Sequence, residues 1–245
     1  MRLYELIDKS VVSGPGIKQS YKSQADQPGS ELLGKGVFGS VYTNPNDIET
    51  AVKISKLNQG NWDADGYYKF IEKVIDLKQE THNPYLPQIY NVKRIQPTTK
   101  SDPYLIVEVE KLYPSASMST EEAKLVFSKM IGRKITQQDI DLIQKETGVD
   151  WKTKEPKPIK WQWAIRNVMQ AYIDDDDWGI WDNFKIKDPQ FVEALQIVRD
   201  LVNDGYTLDL HDENYMVRKT PYGNQIVLTD PLSFKARDKI KIKSV

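Results

Sequence analysis

The chain has no cysteine, only two histidines and almost no excess charge, and each shortage excludes a class of protein. Without cysteine, its 245 residues cannot form disulfides, thiolate metal sites or a cysteine nucleophile. His82 and His211 are far apart in sequence, which argues against a histidine-based zinc centre. A formal net charge of −1 gives no whole-chain attraction to nucleic acid or to an anionic membrane. We therefore expect no direct nucleic-acid partner.

Long apolar runs are also missing. No stretch approaches the length of a membrane span, and Glu5 and Asp8 lie where a signal peptide needs an apolar run. These features predict a soluble cytoplasmic protein without a membrane partner. A hydrophobic content of 39% is sufficient for a core, and 245 residues suit one domain of two lobes rather than two full domains.

Composition and periodicity divide the chain into four parts. Residues 1–30 are rich in Ser, Gly, Gln and Lys and predict a flexible or loosely docked arm. Residues 31–110 predict a small antiparallel β-lobe with one helix, from about residue 68 to 80, and a last strand, 104–110. Residues 111–234 predict a reduced, mainly helical lobe, and residues 235–245 a basic tail. The predicted fold class is α+β.

Acidic and amide side chains near the end of the chain have the spacing of a phosphoryl-transfer site. Asp209 is followed five positions later by Asn214, and Asp230 lies beyond a short predicted hairpin. We predict that Asp209 is the base that accepts a proton from the substrate hydroxyl. Asn214 and Asp230 would hold Mg²⁺, which prefers oxygen ligands. Asp212 and Glu213 could compete as ligands, but the spacing favours Asn214.

A glycine-rich segment near the start matches the pattern G-x-G-x-x-G-x-V. It runs Gly34-Lys35-Gly36-Val37-Phe38-Gly39-Ser40-Val41. Positions without a side chain let backbone N–H groups approach phosphate oxygens, so the segment predicts a nucleotide-binding loop. A dinucleotide-binding loop would open a helix, whereas this segment continues as a strand.

Lys53, in the strand Ala51-Val52-Lys53, is predicted to contact the α- and β-phosphates of ATP. Its partner carboxylate is predicted to be Glu72 or, alternatively, Glu80, both on the following helix. The adenine is expected to lie against the backbone of the hinge near Glu108–Glu110, under an apolar lid that includes Val41 and Ala51.

Other notable residues have simpler explanations. The run Asp174–Asp177 is interpreted as a solvated loop rather than a metal site. Four tryptophans are interpreted as core rather than as a base-stacking platform: Trp161, Trp163, Trp178 and Trp181. For His211, a backbone hydrogen bond and a contact with the γ-phosphate stay open as alternatives.

Together these motifs resemble the protein-kinase-like superfamily, and more closely the early-gene serine/threonine kinases of T-seven-type bacteriophages. The likeness spans about residues 32 to 234 and is most specific in the glycine loop, in Asp209-Leu210-His211 with Asn214, and in Thr229–Phe234. It implies a protein-kinase-like two-lobe fold that uses ATP and Mg²⁺. The implied substrates are Ser and Thr of proteins, including the kinase itself and host proteins such as the transcription machinery. Its location would be the host bacterial cytoplasm.

Two departures from the general kinase pattern affect regulation. Leu208 stands where an arginine usually precedes the catalytic aspartate, so a basic pocket for a phosphorylated activation loop is not expected. Pro231 and Leu232 replace the Phe-Gly that usually follows the metal aspartate. We expect an enzyme that is constitutively assembled.

Two alternative functions remain open at this stage. One is a small-molecule kinase resembling aminoglycoside or choline phosphotransferases, because Asp-x-His-x-x-Asn is also their signature. The other is a nucleotide-binding scaffold that binds and inhibits a host protein. The joint presence of Lys53, Asp209, Asn214 and Asp230 argues against the scaffold.

Overall fold

The protein folds into a β-rich N-lobe and a mainly helical C-lobe, seen here in a computed structural model. The structure describes residues 7–12, 30–36, 39–57, 62–78, 82–95, 103–150, 152–153, 155–174 and 178–235. The strands of the N-lobe are β1 (Ile7–Val12), β2 (Leu32–Lys35), β3 (Gly39–Asn44), β4 (Asp47–Lys56), β5 (Ile89–Ile95) and β6 (Tyr104–Glu110). Those of the C-lobe are β7 (Tyr113–Pro114), β8 (Tyr206–Leu208), β9 (Tyr215–Thr220), β10 (Gly223–Leu228) and β11 (Leu232–Lys235). The helices are α1 (Gly66–Lys78), α2 (Thr120–Met130), α3 (Gln137–Thr147), α4 (Trp161–Asp174) and α5 (Pro189–Asn203).

The N-lobe is built on a six-stranded sheet in the order β1-β5-β6-β4-β3-β2. Strands β2 to β6 pair antiparallel, whereas β1 runs parallel to β5. The last strand predicted for the N-lobe, 104–110, has the same bounds as β6. The structure confirms the predicted α+β class with an antiparallel N-lobe sheet and a helical second part.

Strand β1 was not predicted as a strand, because it lies within the range assigned to the N-terminal arm. Its six residues, Ile7–Val12, form the edge of the sheet beside β5. So short a segment carries little periodicity. Its partner strand is also distant in sequence, since Ile7 pairs with Val92. Residues 13–29 of the arm and residues 236–245 of the tail lie outside the described residues.

Helix α1 packs its apolar stripe against the sheet, close to its predicted range. Phe70, Ile71 and Ile75 are at most 1% exposed. The side chain of Asp65 accepts a hydrogen bond from the backbone N–H of Tyr68 and so caps the first turn. The helix also packs against α5 and β11 of the C-lobe, which fixes it to both lobes.

Side-chain caps define the start of two C-lobe helices, α2 and α3. The hydroxyl of Ser119 accepts from the backbone of Glu122, and Glu122 accepts in return, which is a capping box at α2. Thr136 and Asp139 form the same arrangement at α3. Gly148 ends α3 with φ of 76°, a value that favours glycine.

One hydrophobic core joins the two lobes. It contains N-lobe side chains such as Val74 and Val107 and C-lobe side chains such as Phe191 and Leu228. The tryptophans interpreted as core are confirmed as such: Trp161 and Trp181 are buried, and Trp163 and Trp178 pack against the same cluster. Of the helices in the described ranges, none is long and apolar enough to cross a bilayer.

Two small sheets complete the C-lobe. Strands β9 and β10 form the predicted hairpin, and β7 joins it at the edge. Strands β8 and β11 pair antiparallel in a separate ladder that was not predicted. This second ladder matters most for function, because it ends beside Asp209 on one strand and Asp230 on the other.

Candidate active site

Lys53 of the N-lobe and Asp230 of the C-lobe meet where the two lobes face each other. The Lys53 Nζ lies 2.6 Å from the Asp230 Oδ2, although the residues are 177 positions apart. Their side chains are only 17% and 31% exposed, so water screens this ion pair less than it would a surface pair. The structure therefore brings together the two charged residues that sequence analysis assigned to opposite walls of one site.

The roof of the cleft is one face of the N-lobe sheet. Val41 pairs with Lys53 across β3 and β4, and Lys53 pairs with Val107 across β4 and β6. Directly opposed residues lie on the same face of a sheet, and alternation along β4 adds Ala51 to it. Ala51 is 3% exposed. The predicted lid residues Val41 and Ala51 thus share the face that carries Lys53.

The glycine segment forms the hairpin between β2 and β3. The Gly36 N–H donates to the Gly39 carbonyl over 2.8 Å, which closes the turn. A Cβ at Gly39 would lie 2.8 Å from the carbonyl oxygen of Ile54, so this approach requires glycine. Gly34 and Lys35 lie in exposed β2. Val37 and Phe38, also predicted to contact the nucleotide, lie outside the described residues.

The floor of the cleft is built by the β8–β11 ladder. Leu208 pairs with Leu232, and the backbone N–H of Asp209 donates to the Pro231 carbonyl over 2.9 Å. The ladder holds Asp209 next to the segment that carries Asp230. Leu208, which replaces the arginine common in kinases, is thereby used in strand pairing.

Asn214 connects Asp209 to Asp230 through both its backbone and its side chain. Its carbonyl accepts from the N–H groups of Thr229 and Asp230, each over 3.1 Å, and from the Thr229 hydroxyl over 3.0 Å. Its side-chain Nδ2 donates to the Asp209 carbonyl over 2.6 Å. Because the amide nitrogen is used in this way, the Oδ1 of Asn214 is the atom left to bind a cation.

The donors at this place suit Mg²⁺ bound together with a nucleotide. Asn214 and Asp230 offer amide and carboxylate oxygens, which are hard ligands. In the part of the chain that the structure describes, no three His, Asp or Glu side chains gather into a metal-binding group. Mg²⁺ commonly takes one or two protein ligands and completes its shell with substrate phosphates and water, so the two-residue set fits it.

Asp209, the predicted base, is half-exposed and contacts His211. The imidazole Nε2 lies 3.0 Å from the Asp209 Oδ1, and the two side chains are 71% and 38% exposed. The backbone N–H of His211 also donates to the Asp209 carbonyl over 3.2 Å. The imidazole therefore contacts a carboxylate, which neither alternative for His211 included.

Glu72 does not lie on Lys53 as predicted. Its carboxylate accepts hydrogen bonds from the Tyr68 hydroxyl and, over 2.9 Å, from the Lys69 Nζ. Both partners belong to α1 itself, three and four residues before Glu72. From sequence alone, such local partners are difficult to weigh against a distant partner such as Lys53. Asp230 is the carboxylate that contacts Lys53. Glu80, the alternative, lies outside the described residues.

The helix instead presents an aromatic ring to the lysine. The Lys53 Nζ lies 3.6 Å from the centroid of the Tyr67 ring. Tyr67 is 7% exposed, and burial raises the pKa of its hydroxyl well above the usual value, with the negative charges of Asp230 and Asp65 adding to the effect. The phenol therefore stays neutral beside the ammonium. Tyr67 was not predicted as a site residue, since an aromatic residue at a helix start is typical of core.

The Glu108 side chain lies away from the predicted site, whereas the adenine contact with the hinge backbone stays a prediction. Glu108 pairs with Val52 in the sheet, on the face opposite to Lys53, because side chains alternate along a strand. Its carboxylate accepts a hydrogen bond of 2.8 Å from the Asn44 Nδ2. Glu108 therefore points away from the cleft and supports the β3–β4 turn.

Glu110 is also used structurally, as part of a buried ion pair. Its carboxylate accepts from the Arg218 Nε over 2.7 Å and from Nη2, and Arg218 also donates to the carbonyls of Pro84 and Leu86 over 2.5 and 3.1 Å. The N–H of Glu110 donates to the Gln88 carbonyl. The side chain and N–H of Glu110 are thus unavailable to adenine. Nothing in the spacing of the sequence pointed to this pair.

The predicted acidic loop, 174–177, begins at the end of α4. Asp174 is the last residue of α4, and residues 175–177 lie outside the described residues. Its interpretation as a solvated loop stays a prediction.

Comparisons with known proteins do not identify a family. No protein-family model matches the chain, and no curated protein matches it. Among solved structures, the chain is similar to one described as the "streptomycin-ATP-APH(2")-IIa ternary complex". The identity is 11% and the TM-score 0.33, over 92% of this chain and 73% of that one. A likeness this weak carries no argument about function, so the function rests on the geometry of the site.

Proposed function

We propose that this protein is a kinase that uses ATP and Mg²⁺ to phosphorylate Ser and Thr residues of proteins, itself included. The observation that carries the proposal is the contact between Lys53 and Asp230 across the cleft. It joins the glycine hairpin and lysine strand of the N-lobe to the segment that holds Asp209 and Asn214 in the C-lobe. These parts have the roles required for phosphoryl transfer, which depends mainly on positioning and charge neutralisation.

Each part of the chain has a defined task in this proposal. The hairpin from Gly34 to Gly39 would place backbone N–H groups on the phosphates, and Lys53 would donate to the α- and β-phosphates. Mg²⁺ held by Asn214 and Asp230 would neutralise charge on the phosphate oxygens. Asp209, which is half-exposed, would accept the proton of the incoming hydroxyl.

The proposed enzyme needs no activation step. Helix α1 packs directly on β11, the strand that follows Asp230, and an isolated bridge joins Asp65 to Phe234. Leu208 lies in a strand ladder and offers no positive charge to a phosphorylated loop. These contacts support a constitutively assembled site. Action on host proteins such as the transcription machinery is proposed from the sequence resemblance alone.

A small-molecule kinase is the second candidate. The observation in its favour is the contact between His211 and Asp209 within the shared Asp-x-His-x-x-Asn motif. The two candidates differ in the acceptor hydroxyl and share the nucleotide site.

The test is phosphate incorporation from labelled ATP, with the modified residues located by mass spectrometry. We expect the wild-type protein, incubated with ATP and Mg²⁺ alone, to gain phosphate on its own Ser or Thr residues. Asp209→Asn should reduce the rate by about 10²-fold or more, since a general base contributes roughly that factor. Asp204→Asn, with the same charge change at an exposed position five residues away, is the matched control and should remain near wild-type.

Two results would contradict the proposal in different ways. Wild-type rates in Asp209→Asn would remove that residue from the chemistry. Turnover of ATP that appears only when an amino or hydroxyl compound is added, with no phosphate on protein, would establish the small-molecule kinase instead.

A further inference from the structure

Lys53 has a second neighbour for which the proposed reaction gives no role. The Tyr67 ring lies under its ammonium at 3.6 Å, while Asp230 holds the same ammonium from the other lobe. A cation at that distance from a ring centroid, with a lysine side chain 17% exposed, is in the range where cation–π attraction matters. The contact therefore has an energetic consequence for where the ammonium lies.

We propose that Tyr67 is a positioning residue, whose ring face holds the Lys53 ammonium at the phosphate site in place of a helix carboxylate. The inference rests on the proposed function, because it assigns a role to a residue beside the proposed nucleotide site.

The orientation of α1 explains why a ring takes this place. Glu72 is five residues after Tyr67, which at 100° per residue puts it about 140° around the helix. Its carboxylate is held there by Tyr68 and Lys69. The face of α1 that reaches Lys53 is therefore the face of Tyr67, and Glu72 lies on another side.

A neutral ring also suits a lysine that must change partners. A carboxylate on the helix would add a second negative charge beside Asp230 and bind the ammonium more tightly before the nucleotide arrives. The ring attracts the cation through its quadrupole and keeps no net charge, because burial raises the pKa of the Tyr67 hydroxyl. The ammonium is held in place yet remains able to move onto phosphate oxygens.

The attraction comes from the ring face, so the hydroxyl should be dispensable and the electron density of the ring should matter. We would replace Tyr67 by phenylalanine and then by phenylalanines with two and three ring fluorines, which change the quadrupole with little change in volume. The affinity for Mg²⁺–ATP would be measured by calorimetry, and KM and kcat by phosphate incorporation.

The expected result is a graded loss of nucleotide affinity. Tyr67→Phe should stay within about 2-fold of wild-type, and the trifluorinated ring should weaken ATP binding by about 3- to 10-fold, within the range of one cation–π contact. The loss should appear in KM, with kcat changing less, because the ring acts on the lysine and not on the acceptor. Tyr67→Leu, which removes the ring, should bind ATP at least as weakly as the trifluorinated protein does.

Tyr68 provides a matched control. It is the next residue of α1, it is 2% exposed, and its ring faces Lys69 and Arg94 rather than Lys53. The same fluorinated series at Tyr68, compared with Tyr68→Phe, should leave ATP affinity unchanged. Equal losses in the two series would show that the effect is packing and would overturn the proposal.

A second readout works without nucleotide. In protein with ¹³C-labelled lysine, relaxation of the Lys53 Cε methylene reports how firmly the ammonium is held. The order parameter of this methylene should fall along the Tyr67 series and stay constant along the Tyr68 series. If the order parameter of the Lys53 Cε methylene stays constant in both series, the positioning role is overturned, whatever the measured ATP affinities. If the wild-type protein fails to bind ATP while the order falls as expected, the proposed function is wrong and the positioning role stands.

Discussion

Arg218 makes several polar contacts between the two lobes. It lies in β9 and binds Glu110 at the end of β6, and it also donates to the carbonyls of Pro84 and Leu86. The Glu110 and Arg218 side chains are 10% and 18% exposed, so this is a largely buried ion pair. Removing one partner of such a pair leaves an uncompensated charge in the interior.

Arg218→Ala is therefore expected to lower the free energy of unfolding by about 3 kcal/mol, because Glu110 and two backbone carbonyls lose their donors. The measurement is urea unfolding at neutral pH. Lys219→Ala is the control: Lys219 is exposed and lies over the Tyr113 ring at 4.3 Å, so its loss should cost less than about 1 kcal/mol. Equal costs for the two variants would show that the buried pair contributes nothing beyond an ordinary surface contact.

The location of a single residue could be predicted from sequence where its pattern is rare, and could not where its pattern is common. Lys53 and Asp230 were assigned to one site because few patterns place a lysine strand before such an aspartate. Glu72 and Glu108 were assigned by position alone, and both lie on a face turned away from Lys53. Tyr67 was missed because a buried tyrosine has many uses and only the distance to a cation separates them.

At the scale of elements, helix α1 is held to β11 by an unusually close backbone contact. A Cβ built on Gly66, the first residue of the helix, would lie 1.7 Å from the Ser233 carbonyl oxygen. Such a separation is far inside the contact distance of any two atoms, so the position requires glycine. The Tyr206 hydroxyl adds a hydrogen bond of 2.6 Å to the Asp63 carbonyl, just before the helix.

Gly66→Ala should force α1 away from β11 and carry Tyr67 away from Lys53. We expect a loss of about 2–3 kcal/mol in unfolding free energy, at the upper end for overpacking, since the clash is with backbone. Phosphate incorporation should fall by at least about 10-fold, because positioning is lost. Lys73→Ala, at an exposed site of the same helix, should change the unfolding free energy by less than about 0.5 kcal/mol. A fully active, fully stable Gly66→Ala protein would show that the contact is not needed.

Elements were predictable where the signal is local. The periodicity of α1 lies in a few adjacent residues, and it gave the bounds of that helix within about two residues. Strands β1, β5, β7, β8 and β11 were missed. Of these, β1, β8 and β11 are short and pair with strands that are distant in sequence. The ladder that places Asp209 beside Pro231 is therefore the part of the site that the sequence could not supply.

At the scale of the whole molecule, the two lobes share one core. Besides the common hydrophobic cluster, the Tyr85 ring stacks on Phe191 of α5 at 4.4 Å, and its hydroxyl donates to Asp188 over 2.6 Å. Asn83 is 5% exposed and donates to the Gln190 carbonyl over 2.7 Å. Separating the lobes would expose these side chains, so neither lobe is expected to unfold alone.

The protein should therefore unfold in a single cooperative transition. Trp62 reports on the N-lobe, and the other five tryptophans lie within residues 151–181, in the C-lobe part of the sequence. The difference in fluorescence between wild-type and Trp62→Phe isolates the N-lobe signal during urea unfolding. Its midpoint should coincide with the midpoints of the remaining fluorescence and of far-UV circular dichroism. Two separate midpoints would mean that the shared core does not couple the lobes.

The contact of Gly66 with the Ser233 backbone also bears on how the cleft could be blocked. At that point helix and strand already touch, so an inhibitor that works by levering the helix outward would have to break the contact rather than fill a gap. Compounds that compete for the Lys53–Asp230 pair would leave this contact intact.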